Sequence, residues 1–127
     1  MADIQFLNVD LELESQQDIS ALVADLDKRA VVLHYDKDDT RQLARFEANS
    51  DAVSPDKAIN ELCELIESCS KAALKQWLGC SRRTFDLGFS SGHSPKCFNE
   101  AISADTLLRI SAIGAGIEVT IYAAEQQ

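Results

Sequence analysis

TFDLGFSS, residues 84–91, and ISADTLLRISAIGAGIEVTIY, residues 102–122, read as strand, loop, capped helix, glycine stop and strand. Phe85, Leu87 and Phe89 alternate with Thr84, Asp86 and Gly88, so one side of this segment is apolar and the other polar. Ser103 stands at an N-cap position, and Asp105 in the first turn complements the helix dipole. Leu107, Leu108, Ile110 and Ile113 give a helical apolar stripe, and Gly114 or Gly116 can supply a left-handed stop. Ile117, Val119 and Ile121 then alternate with Glu118, Thr120 and Tyr122, which predicts a strand packed by one face on a core. Two strands joined through a helix point to a crossover onto one sheet.

Upstream, the alternation is cleaner still. Leu7, Val9, Leu11 and Leu13 are interleaved with Asn8, Asp10, Glu12 and Glu14, a strand with one face toward solvent. Ser15, with Asp18 three residues on, is expected to cap a helix carrying Ile19, Leu22, Val23 and Leu26 and ending near Lys28 and Arg29. AVVLHY, residues 30–35, is more continuously apolar and reads as a central strand. The polar turn DKDDT, residues 36–40, leads into a returning antiparallel strand over residues 41–48. Ser54, Pro55 and Asp56 are a strong helix start. A stripe through Ile59, Leu62, Cys63, Ile66, Ala73, Trp77 and Leu78 predicts one long helix to about Leu78, with a weak point at residues 68–70 and a stop at Gly79. After the turn-rich SSGHSP, residues 90–95, a short hairpin strand is expected over residues 96–102.

The order is β-α-β-β-α-β plus a helix and a strand. It predicts one α+β domain over residues 1–127: a ferredoxin-like sandwich extended by a C-terminal helix and strand.

Composition bounds the function. The chain carries 21 acidic and 12 basic residues, a net charge of −9. Residues 1–60 hold 13 acids and 6 bases, against 8 and 6 in residues 61–127. This argues against nucleic acid, whose phosphates need a clustered basic face. No segment approaches the ~20 apolar residues of a membrane helix. The N-terminus has no basic start followed by a long apolar stretch, so the expectation is a cytoplasmic protein with reduced thiols at Cys63, Cys69, Cys80 and Cys97.

Catalytic and metal motifs are weak. Cys80, His93 and Cys97 lack ligand spacing, and DKDD lacks the closed twelve-residue loop of a calcium site. No nucleophile elbow or phosphate loop is present, so no cofactor, metal or catalytic residue is expected. Glu61, Glu64 and Glu67 read as a solvated helix edge, and Trp77 as a core anchor.

The pattern FDLGF followed by Leu107, Leu108, Arg109 and Ile110, then Gly114, Ala115, and Thr120, Ile121 and Tyr122, resembles the closing signature of a family of small, uncharacterised bacterial α+β domains. The resemblance covers about 40 residues of fold-determining letters. It implies a small α+β domain and brings no catalytic residue. Charge and size are also similar, in a general way, to bacterial toxin-immunity proteins.

Two functional expectations follow. One is a non-catalytic binding protein, an inhibitor or immunity-type protein. It would meet a basic protein partner through Asp10, Glu12, Glu14, Asp36, Asp38 and Asp39. The alternative is a small-molecule sensor or small enzyme using the loop 90–102, with His93 and Cys97 as its reactive groups. Self-association through an exposed sheet edge is a third expectation.

Overall fold

The computed structural model describes residues 3–124. Nine elements follow in the order β1 (Gln5–Ser15), α1 (Ser20–Asp27), β2 (Ala30–Lys37), β3 (Gln42–Ala48), α2 (Pro55–Glu67), α3 (Lys71–Leu78), β4 (Arg82–Ser90), α4 (Ala104–Ala112) and β5 (Gly116–Tyr122). The chain is α+β, as its pattern predicts. The five strands form one mixed sheet in the order β2-β3-β1-β4-β5. Every pairing is antiparallel except β4 with β5.

The two-residue alternation of β1 sorts its side chains cleanly. Val9, Leu11 and Leu13 are buried with Ala44, Phe46, Phe85 and Leu87 on one side of the sheet. The helices close that side with Ile19, Leu22 and Leu26 from the α1 segment, Ile59, Leu62, Cys63 and Ile66 from α2, Ala73 and Trp77 from α3 and Ile110 from α4. Asn8, Asp10, Glu12 and Glu14 point the other way, where no helix of the described residues packs. Leu7 breaks the expected series. A register shift between Phe6 and Asn8 releases it to solvent, and Phe6 packs against the core instead.

Several local expectations are corrected. Ser15 does not cap α1: it is the buried last residue of β1, and its Oγ accepts from the Gln17 N–H at 3.0 Å. The N–H groups at the start of α1 find acceptors elsewhere. Asp18 takes Ser20 at 3.1 Å, while the side-chain carbonyls of Gln42 and Gln76 take Ile19 at 3.0 Å and Leu22 at 2.9 Å. The apolar β2 is an outer strand rather than a central one, and Val31 and Leu33 are exposed on it. The long helix divides into two at the weak point expected over residues 68–70. Ser70 stops continuation and caps α3 by accepting from Ala73 N–H at 3.2 Å, while its own N–H donates to Asp25. Residues 96–102 form no strand. Ile117, Val119 and Ile121 do not face a covered core; all three are exposed.

The C-terminal unit matches its reading more closely. Ser103 caps α4 through Thr106 N–H at 3.2 Å. Gly114 has φ +75°, the left-handed stop that a β-carbon would penalise. Trp77 is buried and donates its indole N–H to the Ile113 carbonyl at 2.7 Å, tying α3 to the end of α4. Arg83 fastens the same junction. Its guanidinium donates to the carbonyls of Trp77, Cys80 and Gly114 at 2.9, 3.1 and 2.9 Å.

Candidate functional site

The helix-free face of the sheet gathers the acidic residues. Cross-strand register puts Glu47 of β3 opposite Asp10 of β1, Asp10 opposite Asp86 of β4, and Asp86 opposite Glu118 of β5. Four carboxylates thus stand in one row across four adjacent strands. Like charges directly opposite in a sheet are destabilising, so the fold accepts a cost here that four neutral residues would remove.

The row above it mixes signs. His34, Arg45, Glu12 and Thr84 are register partners across β2, β3, β1 and β4. Arg45 donates to Glu12 at 2.7 Å and stands 3.9 Å from Asp10. Arg82 reaches Glu12 at 3.4 Å and is paired with Glu118. Glu14, one row further, is met by Arg41 at 3.0 Å. Three arginines therefore offset part of a face that carries Asp10, Glu12, Glu14, Glu47, Asp86 and Glu118, and the balance stays negative. The surface is hollowed over Glu12, Glu14, His34, Leu43, Arg45 and Arg82 into an open depression of about 540 Å³.

Asp10 carries the strain of this arrangement. Partial burial pushes its carboxyl up from 3.8 to about 6; Arg45 opposes the rise, while Glu47, Asp86 and Glu12 add to it. A hydrogen bond from Asn8 at 3.2 Å holds it in place. Asp86 accepts from the Thr120 hydroxyl at 2.7 Å.

Of the six acidic residues expected from sequence, Asp10, Glu12 and Glu14 share this face. Asp36 joins them at the β2 edge, opposite Leu43 and in the row of Glu14. Asp38 and Asp39 lie beyond the end of β2. Asp38 shapes the turn, accepting from the Thr40 hydroxyl at 2.7 Å and from the N–H groups of Thr40 and Arg41 at 2.7 and 2.9 Å; these bonds hold its carboxyl below the usual range. Glu47, Asp86 and Glu118 complete the row and were not singled out by sequence. Their signal was present, because each is the polar member of an alternating strand, but only the register shows that they line up.

For a cation, Glu12, Asp86 and Glu118 each place one oxygen within 4.8 Å of the others. Arg82 already bridges Glu12 and Glu118, and Thr120 occupies an oxygen of Asp86, so the chain itself answers this cluster. His93 and Cys97 are both exposed in the loop between β4 and α4. Beneath that loop an apolar cleft of about 370 Å³ is walled by Ile4, Phe89, Phe98 and Ile121, with Ser90, Ser91 and Gly92; neither His93 nor Cys97 lines it. The thiols of Cys63 and Cys80 are buried and raised to about 11 by desolvation, which keeps them protonated and inert at neutral pH. No helix among the described residues is long and apolar enough to cross a membrane. Comparison with protein-family models, with curated proteins and with solved structures finds no match for this chain.

Proposed function

We propose that this protein is a non-catalytic binding protein that receives a basic protein segment on its open, acidic sheet face, acting as an inhibitor or immunity-type partner. The observation that carries the reading is the row Glu47, Asp10, Asp86 and Glu118 across four strands. A lysine- or arginine-bearing segment laid along that row would relieve the like-charge repulsion. It would also find Glu12 and Glu14 beside it, already oriented by Arg45 and Arg41. The free thiols favour a cytoplasmic setting. The strands β2-β3-β1-β4, with helices over one face, read as a split β-α-β core; α4 and the parallel β5 are the addition that departs from a four-stranded ferredoxin-like sheet.

The test is affinity capture from the native organism at low and at moderate salt. It compares wild type with a triple variant Asp10→Asn, Glu47→Gln, Asp86→Asn. A single basic protein held by wild type, released as salt rises and lost by the variant, is the expected result. Equal capture by the variant, or capture indifferent to salt, removes the reading.

The apolar cleft under the loop favours a second reading, a binder of a small apolar ligand held between Phe89 and Phe98. A thermal-shift screen with apolar ligands, repeated on Phe98→Ala, tests it. Alanine at His93 and Cys97 should leave any such shift unchanged, since both lie outside the cleft walls.

A further inference from the structure

We propose that β5 is a self-pairing edge. Two copies of this chain join antiparallel through Ile117, Val119 and Ile121, about a two-fold axis at Val119, and make one continuous sheet from two five-stranded ones.

The backbone points the right groups outward. The Tyr122 carbonyl accepts from Ser91 N–H at 2.8 Å, so Tyr122 turns its peptide groups toward the β4 side. Backbone direction alternates along a strand, so Gly116, Glu118 and Thr120 do the same, and Ile117, Val119 and Ile121 turn theirs to the open edge. The same three residues carry the exposed apolar row. They are register partners of Phe85, Leu87 and Phe89, so they stand on the core side of the sheet. Phe85 and Leu87 are buried, whereas Ile117, Val119 and Ile121 are 40%, 56% and 66% exposed. Among the described residues, no helix covers them. On that side α4 is drawn toward α2 by the Arg109–Glu67 and Asn60–Thr106 contacts, and it leaves Leu107 and Leu108 exposed as well.

The two ends of the sheet are treated differently. The β2 edge is interrupted by a bulge between Val32 and His34 and carries His34, Asp36 and Lys37, devices that discourage pairing. The β5 register runs unbroken from Gly116 to Tyr122 and holds neither proline nor lysine. Its only charge, Glu118, is occupied by Arg82.

Register decides the occupant. With the axis at Val119, Ile117 faces the partner's Ile121, Val119 faces the partner's Val119, and Ile121 faces the partner's Ile117. On the other face Glu118 stands opposite the partner's Thr120, so no like charges meet. The outward peptide groups of all three residues then fall in hydrogen-bonded pairs. An edge complementary to itself in hydrogen bonds, apolar side chains and charge fits an isologous interface between two copies of this chain.

Sedimentation equilibrium of the whole chain, from micromolar to millimolar, tests this. The expected mass is twice the 14.0 kDa of one chain, falling toward 14.0 kDa on dilution. Val119→Lys places two ammonium groups on the axis, and Val119→Pro removes an N–H that points away from β4. Each should raise the dissociation constant by about tenfold or more while circular dichroism stays unchanged. Val53→Lys, at an exposed loop valine, should leave the constant as it is. Amide exchange on wild type needs no variant: Ile117, Val119 and Ile121 should be protected at high concentration and unprotected when dilute. A constant mass of 14.0 kDa, a dimer whose β5 amides exchange freely, or folded variants that dimerise like wild type would each overturn the proposal.

Discussion

Replacing Asp10 with asparagine should make the protein more stable at neutral pH and worse at binding. Asp10 is partly desolvated and stands between Glu47 and Asp86, so its carboxyl rises from 3.8 to about 6 in the folded state despite Arg45. An acid whose folded value lies above its unfolded value binds a proton more tightly when folded. Stability therefore falls as pH rises from about 4 to about 6 and is level above that window. The full shift corresponds to about 3 kcal/mol. Asp10 lies on a solvent-facing sheet surface, and screening brings the expected cost to about 1–2 kcal/mol. Asp10→Asn is nearly isosteric and abolishes this titration, while Arg45 keeps Glu12 as its partner. Urea unfolding at several pH values should show the variant ahead by about 1–2 kcal/mol at pH 7.5, the advantage closing toward pH 4. Binding to a basic partner should weaken at the same time, the opposition of stability and function typical of a surface kept for use. Parallel pH curves for the two proteins, or a variant less stable at pH 7.5, would refute the assignment of Asp10 as a destabilising charge.

Other substitutions probe the frame that holds this face. Trp77→Ala removes the largest fully buried side chain and the donor to Ile113, and should cost about 3–5 kcal/mol in chemical denaturation followed by circular dichroism. Gly114→Ala forces a β-carbon into φ +75° beside the Arg83 guanidinium, and should lower stability by about 1–2 kcal/mol in the same assay. Thr106→Val deletes the buried hydroxyl that accepts from Asn60 at 2.6 Å and Ser103 at 2.9 Å. It should cost about 1–3 kcal/mol and raise amide exchange in α4 before exchange rises in β1.

What could be read from sequence was local. Ser103, Asp105 and Gly114 act within a few residues of their own positions, so the ends of α4 were legible letter by letter; its buried face was not, since Leu107 and Leu108 are exposed and Thr106 is buried beside Ile110. Ser15 misled because its Oγ also suits a turn; the groups that satisfy α1, Gln42 and Gln76, are 23 and 54 residues from the N–H groups they accept, beyond any local rule. The strand AVVLHY looked central because it is apolar, yet sheet position depends on which strands pair. A bulge at Leu33 switches the alternation, putting His34 beside Arg45 on the helix-free face and turning Tyr35 to the core side opposite Ala44. The candidate site shows the same limit. Asp10, Glu12 and Glu14 advertise themselves by alternation. Asp86 and Glu118 carry no special motif, and become part of a charged row only because β4 and β5 align with β1 at one register.

That register also links the two proposals. Pairing through β5 with the apolar rows on one side keeps both helix layers on one side of the joined sheet and both acidic faces on the other. Glu118 meets the partner's Thr120, so the two carboxylate rows are not collinear: they are offset by two residues along the strands, roughly 7 Å at ordinary strand rise. A partner carrying one basic segment would engage either row independently. A partner carrying two, itself two-fold symmetric, would engage both rows at once, and its second contact would be intramolecular. Val119→Lys should then leave the affinity of a single basic segment untouched and abolish only the avidity of a bivalent one, whereas Asp10→Asn should weaken both. Surface-bound titrations with monovalent and tandem forms of the partner segment separate the two effects. A monovalent affinity that falls with Val119→Lys would mean that the acidic face and the β5 edge are one site rather than two.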